Sequence, residues 1–287
     1  MRLLALLLLT SFAGCAQPSD IRSAFQEARR GNYEPVAKLK VTAADTPVIA
    51  EFVRDSDENV VREAVTVLEK LGGAAACAAL VPALTSPSAD VRERTARALH
   101  SACSRQGTES IPNLETALQQ SVELGNTAAA ALLMLGRFQD NENREFLKRL
   151  LPAKTPVVKL NAWSTPVPQG LAAAVAGVSA GLAEARPRLV EGLSDLAQAE
   201  FLASVLADVA DLKALQSLLP LLDNKQTVRA GVPSGAQPQR RLCDLAVDGF
   251  VTRLGLQPGF SLRTSDRYSD EEIAEVKKLA ASATAKQ

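Results

Sequence analysis

The chain is 287 residues long, balances 32 Lys and Arg against 32 Asp and Glu, and has 4% aromatic residues and one histidine. That balance excludes the basic surplus of a nucleic-acid binder, and so few aromatics argue against a carbohydrate-binding module. Abundant alanine and leucine favour helix, and β-branched runs bounded by turn signals are scarce, so an all-α chain is predicted.

At the N-terminus Arg2 supplies a positive charge and Leu3 to Phe12 form an apolar run. The run suits the core of a signal peptide and is too short to span a bilayer, which needs about 20 residues. Ala13 and Gly14 then lead directly into Cys15. The order apolar–Ala–Gly–Cys resembles the bacterial lipobox, with Phe12 where leucine is usual. The resemblance implies that residues 1–14 are removed, that Cys15 is acylated as the mature N-terminus, and that residues 15–20 are a lipidated tether. In two-membrane envelopes an Asp after the cysteine favours the inner membrane; Ala16 is not that signal, so the periplasmic side of the outer membrane is expected. Loss of Arg2 leaves thirty-one basic and thirty-two acidic residues.

After a first helix over Asp20 to Arg30, the sequence repeats itself. VRDSDENVVREAVTVLEKLGG parallels ALTSPSADVRERTARALHSAC, aligning Val53 with Leu84, Val60 with Val91 and Leu68 with Leu99. A third copy, ALQQSVELGNTAAAALLMLG, places Leu118, Leu124 and Leu132 in those columns. Each unit reads as a helix, a short turn rich in Asp, Ser or Pro, and a second amphipathic helix. Further first helices end at Leu151, Leu193 and Leu222, each with a second helix after it. Ser269 and Glu272 have the spacing of a capping box ahead of a last helix through Leu279. The pattern resembles HEAT-like repeats in their short form, most clearly over residues 45–136. That resemblance implies a right-handed α-solenoid of about six helical pairs over residues 21–282, closed by a C-terminal capping helix, with residues 283–287 a disordered tail. The family's Arg column reads Val61, Arg92, Gly125, Ala172 and Cys243 here, so only Arg92 keeps it.

Two segments interrupt the period, KTPVVKLNAWSTPVPQG (154–170) and NKQTVRAGVPSGAQPQ (224–239). Both exceed the usual length of a loop inside a domain and fall between the helices of a pair, so they are expected along one edge. They carry Trp163, Lys159 and Arg229, the candidate partner-binding residues. Trp is enriched in binding hot spots, although a loop Trp also serves as a lid over neighbouring helices.

The single His100 has no metal-ligand neighbours, and no HExxH, GxSxG or GxxxxGK motif occurs. In RDSDEN, Asp57 is expected to cap a helix. Catalytic residues, cofactor and metal are therefore expected to be none. Cys77, Cys103 and Cys243 remain beside Cys15. On straight helices with a rise of 1.5 Å per residue, Cys77 and Cys103 differ by roughly 10 Å in distance from their turn, so buried free thiols are expected ahead of a bridge. The expected function is that of a lipid-anchored envelope scaffold or adaptor that binds an unidentified envelope protein or peptide, touches the membrane through Cys15 and takes no nucleic acid. The alternative is a non-catalytic structural or regulatory subunit supporting an enzyme encoded elsewhere.

Overall fold

A computed structural model describes residues 17–103, 110–125, 128–156, 166–228, 239–263 and 265–285. Helix α1 (Pro18–Arg29) opens on a proline, a residue pre-set for a first helical turn, and the Gln17 N–H donates to the Asp20 carboxylate at 3.2 Å. A short α2 (Glu34–Ala37) follows. Helices then come in pairs. Pair one is α3 (Thr46–Ala50), continued as a 3-10 turn over Glu51–Arg54, with α4 (Glu58–Leu71). Pair two is α5 (Gly73–Leu80), continued as a 3-10 turn over Val81–Thr85, with α6 (Ala89–Cys103). Pairs three and four are α7 (Leu114–Glu123) with α8 (Ala129–Leu135), and α9 (Asn141–Leu150) with α10 (Gln169–Ser179). Pair five is α11 (Arg186–Gly192) with α12 (Leu196–Ser204), and pair six is α13 (Leu212–Ser217) with α14 (Leu242–Leu254). Helix α15 (Asp270–Ala285) packs on α13 and α14 and ends the stack.

Short aspartate turns start many of these helices. Asp57, Asp140, Asp195 and Asp211 each accept a backbone N–H of the first helical turn, at 2.6–3.0 Å. At α15 the Ser269 N–H donates to Glu272 at 2.7 Å, and the Glu272 N–H donates back to the Ser269 hydroxyl at 3.2 Å. Leu68, Leu99 and Leu132 are all fully buried, as are Leu84 and Leu118. The result is an all-α solenoid with one continuous apolar core.

Polar rungs tie neighbouring pairs together. Arg62 meets Asp90 at 2.9 Å, Arg94 donates to the Thr66 hydroxyl at 2.6 Å, and Ser101 donates to Glu69 at 2.7 Å, all between α4 and α6. The residues are three to seven apart on each helix, so they share one face. Buried Arg92 donates to the carbonyls of Ser86 and Pro87 in its own turn and to that of Gly125 in the next pair, at 2.9–3.0 Å. The column position that has lost its arginine thus supplies an acceptor to the arginine that remains.

Four expectations are corrected. Leu124 does not occupy the core column of Val60 and Val91: it caps the end of α7 and is 55% exposed, because α8 begins only at Ala129. Residues 18–20, expected to be tether, are the first turn of α1. Residues 283–285 are helix rather than tail: Thr284 is buried and donates to the Ala280 carbonyl at 2.9 Å. Finally, Cys77 and Cys103 are bridged, with their Cα atoms 6.1 Å apart. The 3-10 form taken up at Val81 lengthens the first helix of pair two by only about 2.5 Å over its five residues, so most of the roughly 10 Å is closed by the approach of α5 to α6, which a reckoning on straight parallel helices leaves out.

Candidate functional site

The second helices form the inner layer of the stack. Helix α4 packs on α6, α6 on α8 and α8 on α10, and α12 packs on α14. Helix α10 is so enclosed that Gly170 to Val178 are all buried, and its alanines present nothing to a ligand. The inner layer closes on itself at the 3-10 turn Leu206–Asp208 and the residues after it. Asp208 accepts from His100 Nε2 at 3.1 Å, a contact between pairs two and five across 108 positions of sequence. The Ser179 hydroxyl of α10 donates to the Asp208 carbonyl at 2.7 Å and accepts the Ala210 N–H at 3.1 Å. Arg253 of α14 donates to the carbonyls of Val209 and Ala210, at 2.5 and 3.2 Å. One short segment therefore holds the ends of α6, α10 and α14. In an open solenoid each repeat touches only its neighbours, and this one departs from that rule.

Close backbone approach makes the closure possible. A Cβ on Gly249 of α14 would lie 2.6 Å from the Leu206 Cβ, and one on Gly136 would lie 2.9 Å from the Ala176 backbone. Only glycine fits these crossings.

Between the α6 face and Asp208 lies a cavity of about 440 Å³, lined by Glu69, Arg94, Arg97, His100, Ser204 and Asp208 among others. Arg94, Arg97 and His100 are spaced by three along α6, opposite the buried stripe of Val91, Thr95 and Leu99. All three are partly buried. Arg97 pairs with Glu93 at 3.5 Å on its own helix, and the His100 and Asp208 side chains are 22% and 20% exposed. A smaller cavity of about 220 Å³ adjoins it across Asp208, against Arg137, Ser179 and Arg253. The arrangement can bind and orient a polar or charged segment. Among the described residues no three His, Cys, Asp or Glu side chains are gathered as a metal would require.

The sequence-predicted site residues Cys15, Trp163, Lys159 and Arg229 lie outside the described residues. The stems of the two long loops are described. Pro156 pairs with Pro168, and the Gln169 N–H donates to the Thr155 carbonyl at 2.7 Å. Thr227 pairs with Arg241, and Val228 and Leu242 extend that stem with N–H bonds to Arg240 and Gln226. Each loop thus leaves its pair through a closed stem. Beside the second stem lies a groove of about 440 Å³, lined by Leu193, Leu196, Pro220, Lys225 and Gln226 among others.

Beyond that stem a polar network fastens α15. Fully buried Asp244 accepts from Arg241 Nη2 at 2.9 Å and from the Arg241 and Tyr268 N–H groups at 2.7 and 3.1 Å. Burial acts to raise its pKa, yet these donors outweigh it and hold the carboxyl below the usual range. Tyr268 donates to Asp248 at 2.6 Å, and burial first, then that carboxylate, pushes its hydroxyl up to about 12. Burial likewise raises the thiol of Cys243, the free cysteine among the described residues.

The basic face on α6 was legible in principle, since Arg94, Arg97 and His100 recur at helical spacing away from the core stripe. Asp208 carried no signal, because only the closed stack brings it to His100.

Fold and site together define a helical-repeat scaffold, an all-α solenoid with a polar inner cavity. The sequence model of HEAT repeats matches residues 21–100, which are α1 and the first two pairs. Those residues therefore carry HEAT-like repeats. No curated protein matches it.

Proposed function

We propose that the chain is a lipid-anchored protein of the bacterial envelope, fastened through Cys15 on the periplasmic side, that binds a protein or peptide and works by binding rather than catalysis. The observation that carries the binding reading is the inner cavity between pairs two and five, where charged side chains face a space of side-chain dimensions. The Cys77–Cys103 bridge supports export, since disulfides form and persist in oxidising compartments. Because α1 begins at Pro18, the three residues from Cys15 reach only about 10 Å when extended, so the solenoid rides close to the lipid headgroups. Ala16 favours the outer membrane. Trp163, Lys159 and Arg229 are proposed as a second contact surface along the loop edge. The closed stems and the exposed Leu196 in the groove beside them support that assignment.

Photo-crosslinking groups at Ser204 in the cavity and Lys225 at the stem, used in the producing bacterium, test the reading. Capture of one protein from both positions, with capture at Lys225 lost when Ser204→Trp fills the cavity, assigns the inner site. No captured protein from either position overturns the proposal. Shortening each loop to a Gly-Ser turn is expected to lower capture at Lys225 without lowering the melting temperature; lost stability with undiminished capture makes the loops packing elements. Cys15→Ser is expected to abolish labelling by fatty acid, and unchanged labelling sinks the anchor.

A further inference from the structure

We propose that the α6 face bearing Arg94, Arg97 and His100 is a carboxylate-binding surface for an acidic segment of the partner, and that Asp208 holds its place in the free protein. The inference rests on the binding reading above and names the chemistry of what is bound.

The charge at the site is unevenly compensated. Arg94 spends Nη2 on the neutral Thr66 hydroxyl and makes no ion pair among the described residues. Arg97 has its carboxylate contact only at 3.5 Å, with Glu93 four residues earlier on the same helix. Glu69, which lines the same cavity, is engaged by the hydroxyl of Ser101, the residue after His100. Of the carboxylates lining the cavity, Glu69 is engaged by Ser101 and Asp208 by His100, so among the described residues neither is paired with the two partly buried guanidinium groups. Guanidinium binds carboxylate through paired N–H donors, and it does so more strongly where water is partly excluded.

The protein itself displays a carboxylate on this face. Asp208 comes from pair five, distant in sequence, and seats its Oδ1 on His100 at 3.1 Å. A glutamate, an aspartate or a chain-terminal carboxylate of a partner would reproduce that contact and would add the two arginines one and two turns farther along α6. The cavity of about 440 Å³ admits such side chains, and the exposed Ser204 at its wall leaves the approach open. Asp208 competes with the incoming group at His100, so its removal should tighten binding rather than loosen it.

The test uses the whole mature protein and a short fluorescent peptide, acetylated and amidated, in which glutamate alternates with alanine; its counterpart carries glutamine for glutamate. By fluorescence anisotropy at low ionic strength the glutamate peptide is expected to bind at least about tenfold more tightly than the glutamine peptide. Arg94→Gln with Arg97→Gln should erase that preference. Asp208→Asn should strengthen glutamate-peptide binding severalfold, whereas Arg30→Gln on the outer end of α1 should leave it unchanged. Should the double variant fail to fold, Ser204→Asp, an exposed second built-in acid, is expected to weaken the glutamate peptide selectively. Equal binding of the two peptides, no binding of either, or an Asp208→Asn variant that binds no better overturns the inference. A partner crosslinked through Ser204 by a segment with no acidic residue also overturns it, while leaving the binding reading intact.

Discussion

Reduction of the Cys77–Cys103 bridge is expected to loosen pair two without dissolving the whole stack. The cysteines are 26 residues apart, both are fully buried, and they join α5 to the last residue of α6. Closing a loop of that length removes chain entropy from the unfolded state worth about 3.5 kcal/mol at 25 °C. Apart from the His100–Asp208 contact, α5 and α6 pack mainly on adjacent pairs, so that loss falls first on the segment that is bridged. Hydrogen exchange should therefore rise over α5 and α6 on reduction, well before it rises over α14 and α15. The thermal midpoint of the first transition should drop by roughly 14–28 °C if that unit melts like a domain of about 60–100 residues. A chain starting after Cys15 should titrate one thiol when denatured without reductant, that of Cys243, and three after reduction. Three thiols before reduction, or superimposable melting and exchange with and without reductant, would refute the reasoning.

Leu68→Ala, Leu99→Ala and Leu132→Ala should each cost roughly 2–5 kcal/mol, read as a lowered urea midpoint, and wild-type curves for all three would mean that the columns are misaligned. Acid should destabilise the cap through Asp244. Its folded pKa is depressed, so its contribution is complete above the ordinary Asp value of about 4 and fades as pH falls through the lower folded value. Urea midpoints from neutral to acid pH should show this decline, flattened in Asp244→Asn; parallel profiles would remove Asp244 from the account. Gly249→Ala should push α14 off Leu206 at a cost of about 1–3 kcal/mol and raise hydrogen exchange over residues 205–210, and unchanged protection there would show that the crossing yields freely.

The paired helices, their turns and their buried leucines were readable from residue order, because helix periodicity and aspartate caps act within a few residues. Asp57 caps α4 and Ser269 with Glu272 caps α15 as local chemistry requires. Reading failed where an element's length changed. Leu124 fits the repeat column by spacing, but α8 starts late and leaves it in solvent, a choice set by packing in the third pair. The Cys77–Cys103 bridge depends on how α5 approaches α6, with the 3-10 turn adding only part of the reach, and spacing alone does not reveal that approach.

From sequence alone came a helical repeat, its approximate number of pairs, the capping helix and the resemblance of the N-terminus to a lipobox. Tertiary structure alone decided that the inner layer closes between pairs two and five. His100 and Asp208 are adjacent because the packing of the intervening pairs brings α6 and the Leu206–Asp208 turn together, and glycines at the helix crossings let the backbones come close enough. Packing of that kind is a sum over the whole stack, so no single stretch of residues encodes it.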